Sequence, residues 1–225
     1  MRAPISIVIP TLNAAEQLPD CLTALMEGIE AGLIRELIIS DGGSTDATGA
    51  IAQAWGAEVL QGAPSRGGQL RRGCATAQGA WLLVLHADTV LSPGWAQTVA
   101  AHLDQRDTAG WARLTFDGGG LAASIVARWA NLRSRFGLPY GDQGLLISRK
   151  LYDRVGGYPD QPLMEDVALS LALKGNLTRL DMVATTSAAK YRHQGWLRRG
   201  GRNLLTLLRY FAGQDVERLA HRYRQ

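Results

Sequence analysis

The chain has 225 residues and a formal net charge of +4, and 46% of its residues are hydrophobic. This length is enough for a complete core and no linker interrupts the sequence. We therefore expect one α/β domain over residues 1–190, with a basic amphipathic helical extension of the same domain over 191–225. Two cysteines, Cys21 and Cys74, exclude a disulfide scaffold or a zinc pattern and favour a reducing compartment. Because neither a cleavable signal nor an apolar run of membrane-spanning length is found, we expect a cytoplasmic protein.

The N-terminal half repeats a strand, a loop and a helix. Short apolar runs predict strands at 5–9, 36–40, 58–60 and 81–85. Apolar residues at helical spacing predict helices at 16–32, 44–55 and 68–77, and a further helix after Pro93. This alternation predicts parallel strands joined by right-handed crossovers.

The second half is less regular. Its patterns predict strands at 109–116 and 144–148, a short edge strand at 177–180, and helices at 121–136 and 165–173. A last apolar helix at 204–211 is bounded by basic residues, and the excess of positive charge lies after Lys190. Such a segment either meets an anionic partner such as phosphate, lipid or nucleic acid, or forms a solvated helix face.

Polar residues follow three of the predicted strands. Pro10-Thr11-Leu12-Asn13 follows the first strand, Asp41 ends the second, and His86-Ala87-Asp88 follows the fourth. Ligands of α/β proteins collect at the carboxyl ends of strands, where a carboxylate and an imidazole can hold a divalent cation against a phosphate. The sequence therefore predicts an enzyme that handles a nucleotide diphosphate. Ordinary turn chemistry, a helix-capping turn at Asp41 and a structural His86 stay open as alternatives.

Charged residues also open two predicted helices. Arg66 precedes one of them, where free N–H groups and a guanidinium suit a phosphate. Glu165 and Asp166 open the other, at the end where the helix dipole favours negative charge. The alternative for these two carboxylates is that they have no site role, because many helices carry acidic residues in their first turn. For Arg192 and His193, after the last predicted strand, the alternative is a basic surface segment.

Four segments occur in order along the chain: VIPTLN from Val8, DGGSTDAT from Asp41, LHADT from Leu85 and ED from Glu165. In this order and spacing they resemble the signature of family 2 glycosyltransferases, over roughly residues 4–180. The resemblance implies a GT-A fold, a Rossmann-like and mostly parallel sheet sandwiched by helices, followed here by the helical C-terminal extension. With GDQG from Gly141 and PLMED from Pro162, the chain is similar to a subgroup of small bacterial glycosyltransferases linked to arsenosugar biosynthesis or radical-SAM proteins.

The resemblance implies a role for each candidate residue. Asp166 corresponds to the base that deprotonates the acceptor hydroxyl, with Glu165 either supporting it or touching the acceptor. Asp88 corresponds to the residue that holds a divalent cation, Mn²⁺ or Mg²⁺, and His193 is a candidate to complete the metal shell. The residues expected to contact the nucleotide or the sugar are Pro10, Thr11, Asn13, Glu16, Asp41, Arg66, His86, Asp142, Gln143 and Arg192.

The sequence departs from the family pattern at His86, where an aspartate is usual. A neutral imidazole there can donate to a ribose hydroxyl, or ligate Mn²⁺ more readily than Mg²⁺. The Gln-x-x-Arg-Trp motif of processive members is absent from the segment that starts at Gln194. This absence favours the transfer of a single sugar.

These features predict a metal-dependent, inverting glycosyltransferase that uses a nucleotide-diphosphate sugar, with UDP favoured over GDP. A sugar nucleotidyltransferase is the first alternative, although its glycine-rich, basic loop after the first strand is missing. A noncatalytic nucleotide-sugar-binding module is the second, and a nucleic-acid partner is not expected because the interleaved aromatic residues of single-strand binders are absent. The acceptor is left unassigned. The apolar and basic C-terminal segment leaves open a lipid-linked acceptor or peripheral contact with the inner membrane surface. The favoured alternative is a helix that packs its leucines on the core or, in a homodimer, on a second subunit.

Overall fold

The protein is built around a mixed β-sheet flanked by helices. The computed structural model describes residues 2–105 and 108–224. The strands are Ile5–Thr11 (β1), Ile34–Asp41 (β2), Glu58–Gln61 (β3), Trp81–Val84 (β4), Thr89–Leu91 (β5), Ala109–Phe116 (β6), Leu145–Ser148 (β7) and Leu177–Thr186 (β8). The helices are Leu18–Ala24 (α1), Met26–Glu30 (α2), Thr48–Ala54 (α3), Arg66–Thr76 (α4), Trp95–Gln105 (α5), Gly120–Arg135 (α6), Arg149–Arg154 (α7), Glu165–Ala172 (α8), Ala189–Gln194 (α9), Trp196–Phe211 (α10) and Val216–Arg224 (α11).

The predicted βαβ half is confirmed. Strands β3, β2, β1 and β4 lie side by side in that order, and all their pairings are parallel. Ile7 and Ile9 pack in one buried cluster and Val8 in another, so both faces of β1 are covered, as expected for an apolar parallel strand. Because β2 and β4 flank β1 on opposite sides, the loops that follow these strands open toward a crevice at their carboxyl ends.

The second half of the sheet contains both orientations. β7 is antiparallel to β4 and β6, whereas β6 is parallel to β8. The predicted short edge strand at 177–180 is wrong, since β8 has 10 residues and lies between β6 and β5. From Leu180 to Thr186 buried residues alternate with less buried ones, but the buried positions after Met182 are alanine and threonine. These small side chains conceal the period-2 apolar signal of a strand.

Two predicted helices are shorter than their sequence patterns. The predicted helix at 16–32 is divided into α1 and α2 at Leu25, where Gly28 lies against the ring of the fully buried Trp95. The indole Nε1 of Trp95 donates to the Ala24 carbonyl oxygen over 2.9 Å. The helix predicted at 44–55 begins only at Thr48, because residues 41–46 form a hydrogen-bonded turn.

Glycine allows α4 to pack directly on β1. A Cβ at Gly73 would lie 2.6 Å from Val8 Cγ1, too close for an ordinary contact. We expect Gly73→Ala to lower the free energy of unfolding by about 1–3 kcal/mol in denaturant titrations, because a full core does not accept the added methyl group. The matched control is Gly49→Ala in α3, where a Cβ meets nothing within 4 Å and the change should be neutral or stabilising by about 0.4–1 kcal/mol. Equal losses in both variants would contradict the packing argument.

The C-terminal segment is helical, as expected. The predicted apolar helix at 204–211 is the second half of the longer helix α10, which is followed by α11. Leu207 of α10 packs in a buried cluster with Met164 and Val167 at the start of α8. The extension is therefore attached to the core beside α8, and a domain boundary at residue 190 stays a prediction. Within the described part of the chain, no helix has the length and apolar character needed to cross a membrane.

Candidate active site

Two neighbouring cavities open at the carboxyl ends of β1 and β4. The strand-end cavity encloses about 440 Å³ and is bordered by residues 10–14 after β1. The helix-side cavity encloses about 130 Å³ and is bordered by residues 140–142, by the start of α8 and by the C-terminal helices. Both cavities are lined by the same group of polar residues, namely Arg66, His86, Asp88, Ser187 and Lys190. The cavities are therefore two parts of one cleft.

The loop after β1 is held in a fixed shape. Asn13 has a φ of 49°, in the left-handed region that non-glycine residues rarely adopt. Its Oδ1 accepts a hydrogen bond from the Thr45 backbone N–H over 2.9 Å, and its own N–H donates to Ser44 Oγ over 2.8 Å. Asparagine adopts this conformation more readily than other non-glycine residues, and these two hydrogen bonds hold it there. Pro10, Thr11 and Asn13 line the strand-end cavity, as the sequence predicts for a nucleotide site.

Asp41 forms the core of the turn after β2. Its carboxylate accepts hydrogen bonds from Ser44 Oγ and N–H, Thr11 Oγ1 and Gly43 N–H, over 2.5 to 2.9 Å. Although burial alone raises the pKa of this carboxyl, the hydrogen bonds lower it below its usual value. A carboxylate has about four acceptor positions, so these bonds account for its capacity. This geometry favours ordinary turn chemistry at Asp41, and Asp41 does not cap a helix, because α3 begins only at Thr48 and has no side-chain cap.

Asp41 and Glu16 do not border either cavity. Asp41 is 3% exposed and is not among the residues that line the cleft. Glu16 is exposed at the start of α1, where its Oε2 accepts from the neighbouring Gln17 Nε2 over 3.1 Å. Gln17 lines the strand-end cavity instead. The predicted nucleotide contacts of Asp41 and Glu16 thus need a rearrangement of this edge of the cleft.

His86 and Asp88 follow β4 and lie on the wall that the two cavities share. Burial lowers the pKa of the His86 imidazole well below its usual value, and the positive charges of Arg66 and Lys190 lower it further. The imidazole is therefore neutral near pH 7 and able to donate one hydrogen bond or to ligate a metal. Gly141 packs so closely on this ring that a Cβ at that position would overlap it.

Arg66 occupies the first turn of α4 and faces the start of α8. Ser65 Oγ caps α4 by accepting from the Gly68 N–H over 3.3 Å. The Nε of Arg66 lies 3.8 Å from Glu165 Oε1, and its side chain is 45% exposed. Arg66 thus reaches the cleft from the helix N-terminus, and its contact with a phosphate stays a prediction.

The carboxylates of α8 enter the cleft from a strained turn. Met164 precedes the helix with a φ of 62° and is buried. Asp166 lines the helix-side cavity, where its Oδ2 accepts from the Gly141 N–H over 2.9 Å and its Oδ1 accepts from the Val167 N–H over 2.7 Å. Glu165 also lines this cavity but is only 2% exposed. Burial and the neighbouring Asp166 raise the pKa of Glu165 to about 7, although Arg66 opposes the increase.

The raised pKa of Glu165 predicts a pH-dependent stability. The folded chain keeps this proton to about pH 7, whereas the unfolded chain releases it near 4.5, so the free energy of unfolding should fall as the pH rises through this window. Glu165→Gln should flatten that part of the profile in denaturant titrations at several pH values. Glu30→Gln, at an exposed position of α2, is the control for the loss of one carboxylate. If the free energy of unfolding of Glu165→Gln fell with pH as steeply as that of the wild type, the pH dependence would not come from Glu165.

Asp142 and Gln143 are adjacent in the sequence, but only Asp142 lines the cleft. Asp142 lines the helix-side cavity, and burial raises its pKa to about 6 even though Arg133 opposes the increase. Gln143 is fully buried outside both cavities. Its Oε1 accepts from Ser134 Oγ over 2.5 Å, and its Nε2 donates to the Ala112 carbonyl oxygen over 3.1 Å. Gln143 is therefore not placed for the sugar contact that the sequence predicts. Its hydrogen bonds hold the turn that carries Asp142.

Arg192 and His193 lie outside the cleft. Residues 189–194 form the helix α9, which directs Lys190 and Tyr191 to the helix-side cavity and leaves Arg192 and His193 exposed. Arg192 Nη1 lies 3.5 Å from Asp117 Oδ1. His193 borders a separate surface pocket and does not share a cavity with Asp88. Because successive helical residues point about 100° apart, a motif on a helix cannot bring all of its side chains to one site.

Sequence reasoning missed a polar and aromatic wall formed by the C-terminal helices. Tyr191 OH accepts from Asn203 Nδ2 over 3.2 Å, and Asn203 Oδ1 accepts from Tyr223 OH over 2.8 Å. Other unpredicted residues around the helix-side cavity are Phe116, Tyr140, Leu163, Lys190 and Arg199. The only sequence signal for this wall is the basic and aromatic composition after Lys190. Composition does not show which of these residues face the cleft.

Comparison with known proteins places the chain in a family. Residues 6–151 match the model of the glycosyl transferase family 2. The chain belongs to this family. It is 28% identical over 182 residues to an uncharacterized glycosyltransferase of Mycobacterium tuberculosis, covering 73% of this chain and 79% of the relative. It is also 39% identical over 106 residues to a PGL/p-HBAD biosynthesis glycosyltransferase of the same organism, covering 40% of this chain and 38% of that protein.

Solved structures confirm the GT-A type of α/β fold. The mannosyltransferase PcManGT from Pyrobaculum calidifontis, in complex with GDP-Man and Mn²⁺, matches with a TM-score of 0.68 at 18% identity and covers 96% of this chain and 65% of its own. Glucosyl-3-phosphoglycerate synthase from Mycobacterium tuberculosis, in complex with Mn²⁺, UDP and phosphoglyceric acid, matches with a TM-score of 0.59 at 23% identity. This match covers 91% of the present chain and 78% of the synthase. The chain also spans 64% of a structure of S. aureus TarS, with a TM-score of 0.65 at 15% identity and 91% of this chain covered.

Proposed function

We propose that this glycosyltransferase moves a single sugar, with inversion, from a nucleotide-diphosphate sugar to an acceptor hydroxyl with the help of a divalent cation. The observation that carries the proposal is the shared wall of the two cavities, where Arg66, Lys190 and Asp88 converge. A nucleotide sugar has a nucleoside at one end, a sugar at the other and a diphosphate between them. The cleft offers the same order, with its charged groups in the middle.

The strand-end cavity suits the nucleoside. It lies at the point where the strand order changes direction around β1, the usual nucleotide position in an open α/β sheet. UDP is the preferred donor nucleotide in this proposal, in line with the UDP bound by glucosyl-3-phosphoglycerate synthase, while PcManGT holds GDP-Man. The subgroup linked to arsenosugar biosynthesis or radical-SAM proteins remains part of the proposal and leaves the acceptor open.

The residues present fit a divalent cation that the donor helps to bind. The described residues contain no cluster of three or more His, Cys, Asp or Glu side chains able to hold a metal by themselves. Mg²⁺ and Mn²⁺ in nucleotide sites commonly take one or two carboxylates and complete their shell with phosphate oxygens and water. Asp88 supplies such a carboxylate and the neutral imidazole of His86 lies on the same wall. When bound there, the cation supplies positive charge to the departing diphosphate.

Asp166 is the proposed base. Two backbone N–H groups, of Gly141 and Val167, fix its carboxylate at the edge of the helix-side cavity. The acceptor oxygen forms a bond to the anomeric carbon as the bond from that carbon to the diphosphate breaks, and the hydroxyl proton passes to Asp166. Arg66 and Lys190 stabilise the negative charge of the leaving diphosphate. Glu165 Oε1 lies 3.8 Å from Arg66 Nε, so its ionised form, present above about pH 7, acts as a positioning residue for this guanidinium.

A thermal-shift panel tests this proposal directly. The melting temperature is measured with UDP, GDP, CDP and ADP, each with and without Mn²⁺, because a ligand that binds only the folded state raises apparent stability. We expect the largest increase with UDP and Mn²⁺ together. UDP release in the presence of a UDP-sugar and an acceptor library then reports transfer. Equal melting temperatures in all samples would overturn the nucleotide assignment, and UDP shifts independent of Mn²⁺ would overturn the metal requirement.

A further inference from the structure

Helix α6 exposes large apolar side chains and buries small ones. Its buried positions are Ala123, Ala127, Ala130 and Ser134. The opposite face carries Leu121, Ile125, Trp129, Leu132 and Phe136, which are 85%, 66%, 51%, 45% and 79% exposed. A surface helix normally has the reverse arrangement, with its large apolar residues toward the core. This face of α6 therefore has the composition of a contact surface.

Helix α10, beside α6, also exposes large apolar side chains, although it buries Leu207. Its exposed apolar residues are Leu197, Leu204, Leu205, Leu208 and Phe211. The two helices are in contact, since a Cβ at Gly200 would lie 3.9 Å from Val126 Cγ2, and Trp129 and Leu204 line the same small groove. We call the exposed apolar residues of both helices the α6–α10 face. Contiguous apolar surface of this kind marks a protein or membrane contact.

The charge of these helices distinguishes between the two kinds of partner. Helices α6 and α10 contain no carboxylate and seven arginines, of which Arg133, Arg199 and Arg202 contact other residues of the protein away from this face. Arg128 and Arg135 adjoin the apolar stripe of α6, and Arg198 and Arg209 adjoin that of α10, at helical spacing. Apolar residues with arginines beside them are typical of helices that lie in the headgroup region of a bilayer. We propose that the α6–α10 face docks on an anionic phospholipid membrane.

A second copy of the chain fits this face less well. A two-fold dimer would place the same surface against itself, so that arginines would face arginines with no acidic residue of α6 or α10 to compensate. Anionic headgroups provide the complementary charge, and each basic residue near such a surface strengthens the attraction. The inference depends on this surface alone and is independent of the proposed sugar transfer.

Docking would also bring the cleft near the lipid. Arg199 and Asn203 line the helix-side cavity from the same helix that carries Leu204 and Leu208. A membrane-bound acceptor could then reach the cleft without leaving the bilayer surface. The C-terminal helices thus connect the proposed docking surface to the wall of the active site.

Vesicle flotation tests the proposal with the full chain. The wild type is mixed with vesicles of equimolar phosphatidylglycerol and phosphatidylcholine, or of phosphatidylcholine alone, at about 0.05 M and about 0.5 M salt. We expect flotation with the anionic vesicles at low salt, weaker flotation at high salt, and none with phosphatidylcholine alone. The double variant Leu121→Ser with Leu197→Ser changes side chains that are 85% and 89% exposed, so the fold should tolerate it. Its partition coefficient should fall at least about tenfold.

A matched double variant on another surface controls for the general loss of apolar area. Met26→Ser with Ile29→Ser, on α2, should float like the wild type. Sedimentation velocity of all three proteins reports the oligomeric state. The proposal is overturned if the wild type does not float with anionic vesicles, or if the α6–α10 variant floats as well as the wild type. A wild-type dimer that becomes monomeric in this variant, without flotation of either, would assign the face to a second copy.

Discussion

Replacing Asp166 by asparagine is expected to lower the turnover number by about 10² to 10⁴, the usual contribution of a positioned general base. The binding of the donor should change little, because asparagine keeps the shape of the side chain and its single carboxamide oxygen can still accept one of the two backbone N–H bonds, from Gly141 or from Val167. The carboxamide cannot accept the proton of the acceptor hydroxyl. The measurement is kcat and KM for transfer to an acceptor found by screening, with calorimetric binding of UDP in parallel.

The control for this variant is Asp153→Asn, at an exposed position of α7 that lines neither cavity. It removes one carboxylate charge without altering the lining of the cleft, and its kcat should equal that of the wild type. If Asp166→Asn transfers the sugar at the wild-type rate, the role of base passes to Asp142 or Glu165, the other carboxylates of the helix-side cavity.

The positions of the strand-end residues were predictable from the sequence because local rules determine them. The alternation of strands and helices implies parallel β1, β2 and β4, and their carboxyl ends then meet at one edge. Pro10 and Asp88 lie in the cleft for this reason, whereas Asp41 at the end of β2 does not line it because its own turn uses the carboxylate. Glu165 and Asp166 were found through the family motif, since the turn that directs them inward depends on the left-handed backbone of Met164.

Residues placed by long-range packing were not predictable in this way. Gln143 resembles a polar loop residue in the sequence, but a hydrogen bond from Ser134 and another to Ala112 hold it in the interior. The contribution of Tyr191, Asn203 and Tyr223 to the cleft depends on how three separate helices pack, which helical periodicity alone does not specify. Arg192 and His193 illustrate the same limit, because the direction of α9 decides which of its neighbours reach the cleft.

Replacing Asp88 by alanine is expected to remove the increase in UDP affinity that Mn²⁺ provides, while the affinity for uridine stays near that of the wild type. Asp88 lines both cavities, where its carboxylate would hold a cation and the cation would supply positive charge to the diphosphate. With one protein carboxylate in that shell, its loss should cost at least about tenfold in the Mn²⁺-dependent affinity, measured by titration calorimetry with and without the ion.

Asp142→Asn is the matched control for the metal assignment, since Asp142 lines the helix-side cavity but not the strand-end cavity. It removes a neighbouring carboxylate and should leave the Mn²⁺ enhancement in place, so a loss in both variants would indicate a general electrostatic effect of the acidic cleft. An unchanged enhancement in Asp88→Ala would show that the cation is held elsewhere.

The variant His86→Asp tests the second residue of this wall. A shift from Mn²⁺ toward Mg²⁺ preference would indicate direct ligation by His86, because carboxylate oxygen suits the harder ion. An unchanged metal profile would leave the neutral imidazole as a hydrogen-bond donor to the ribose or to the strand end.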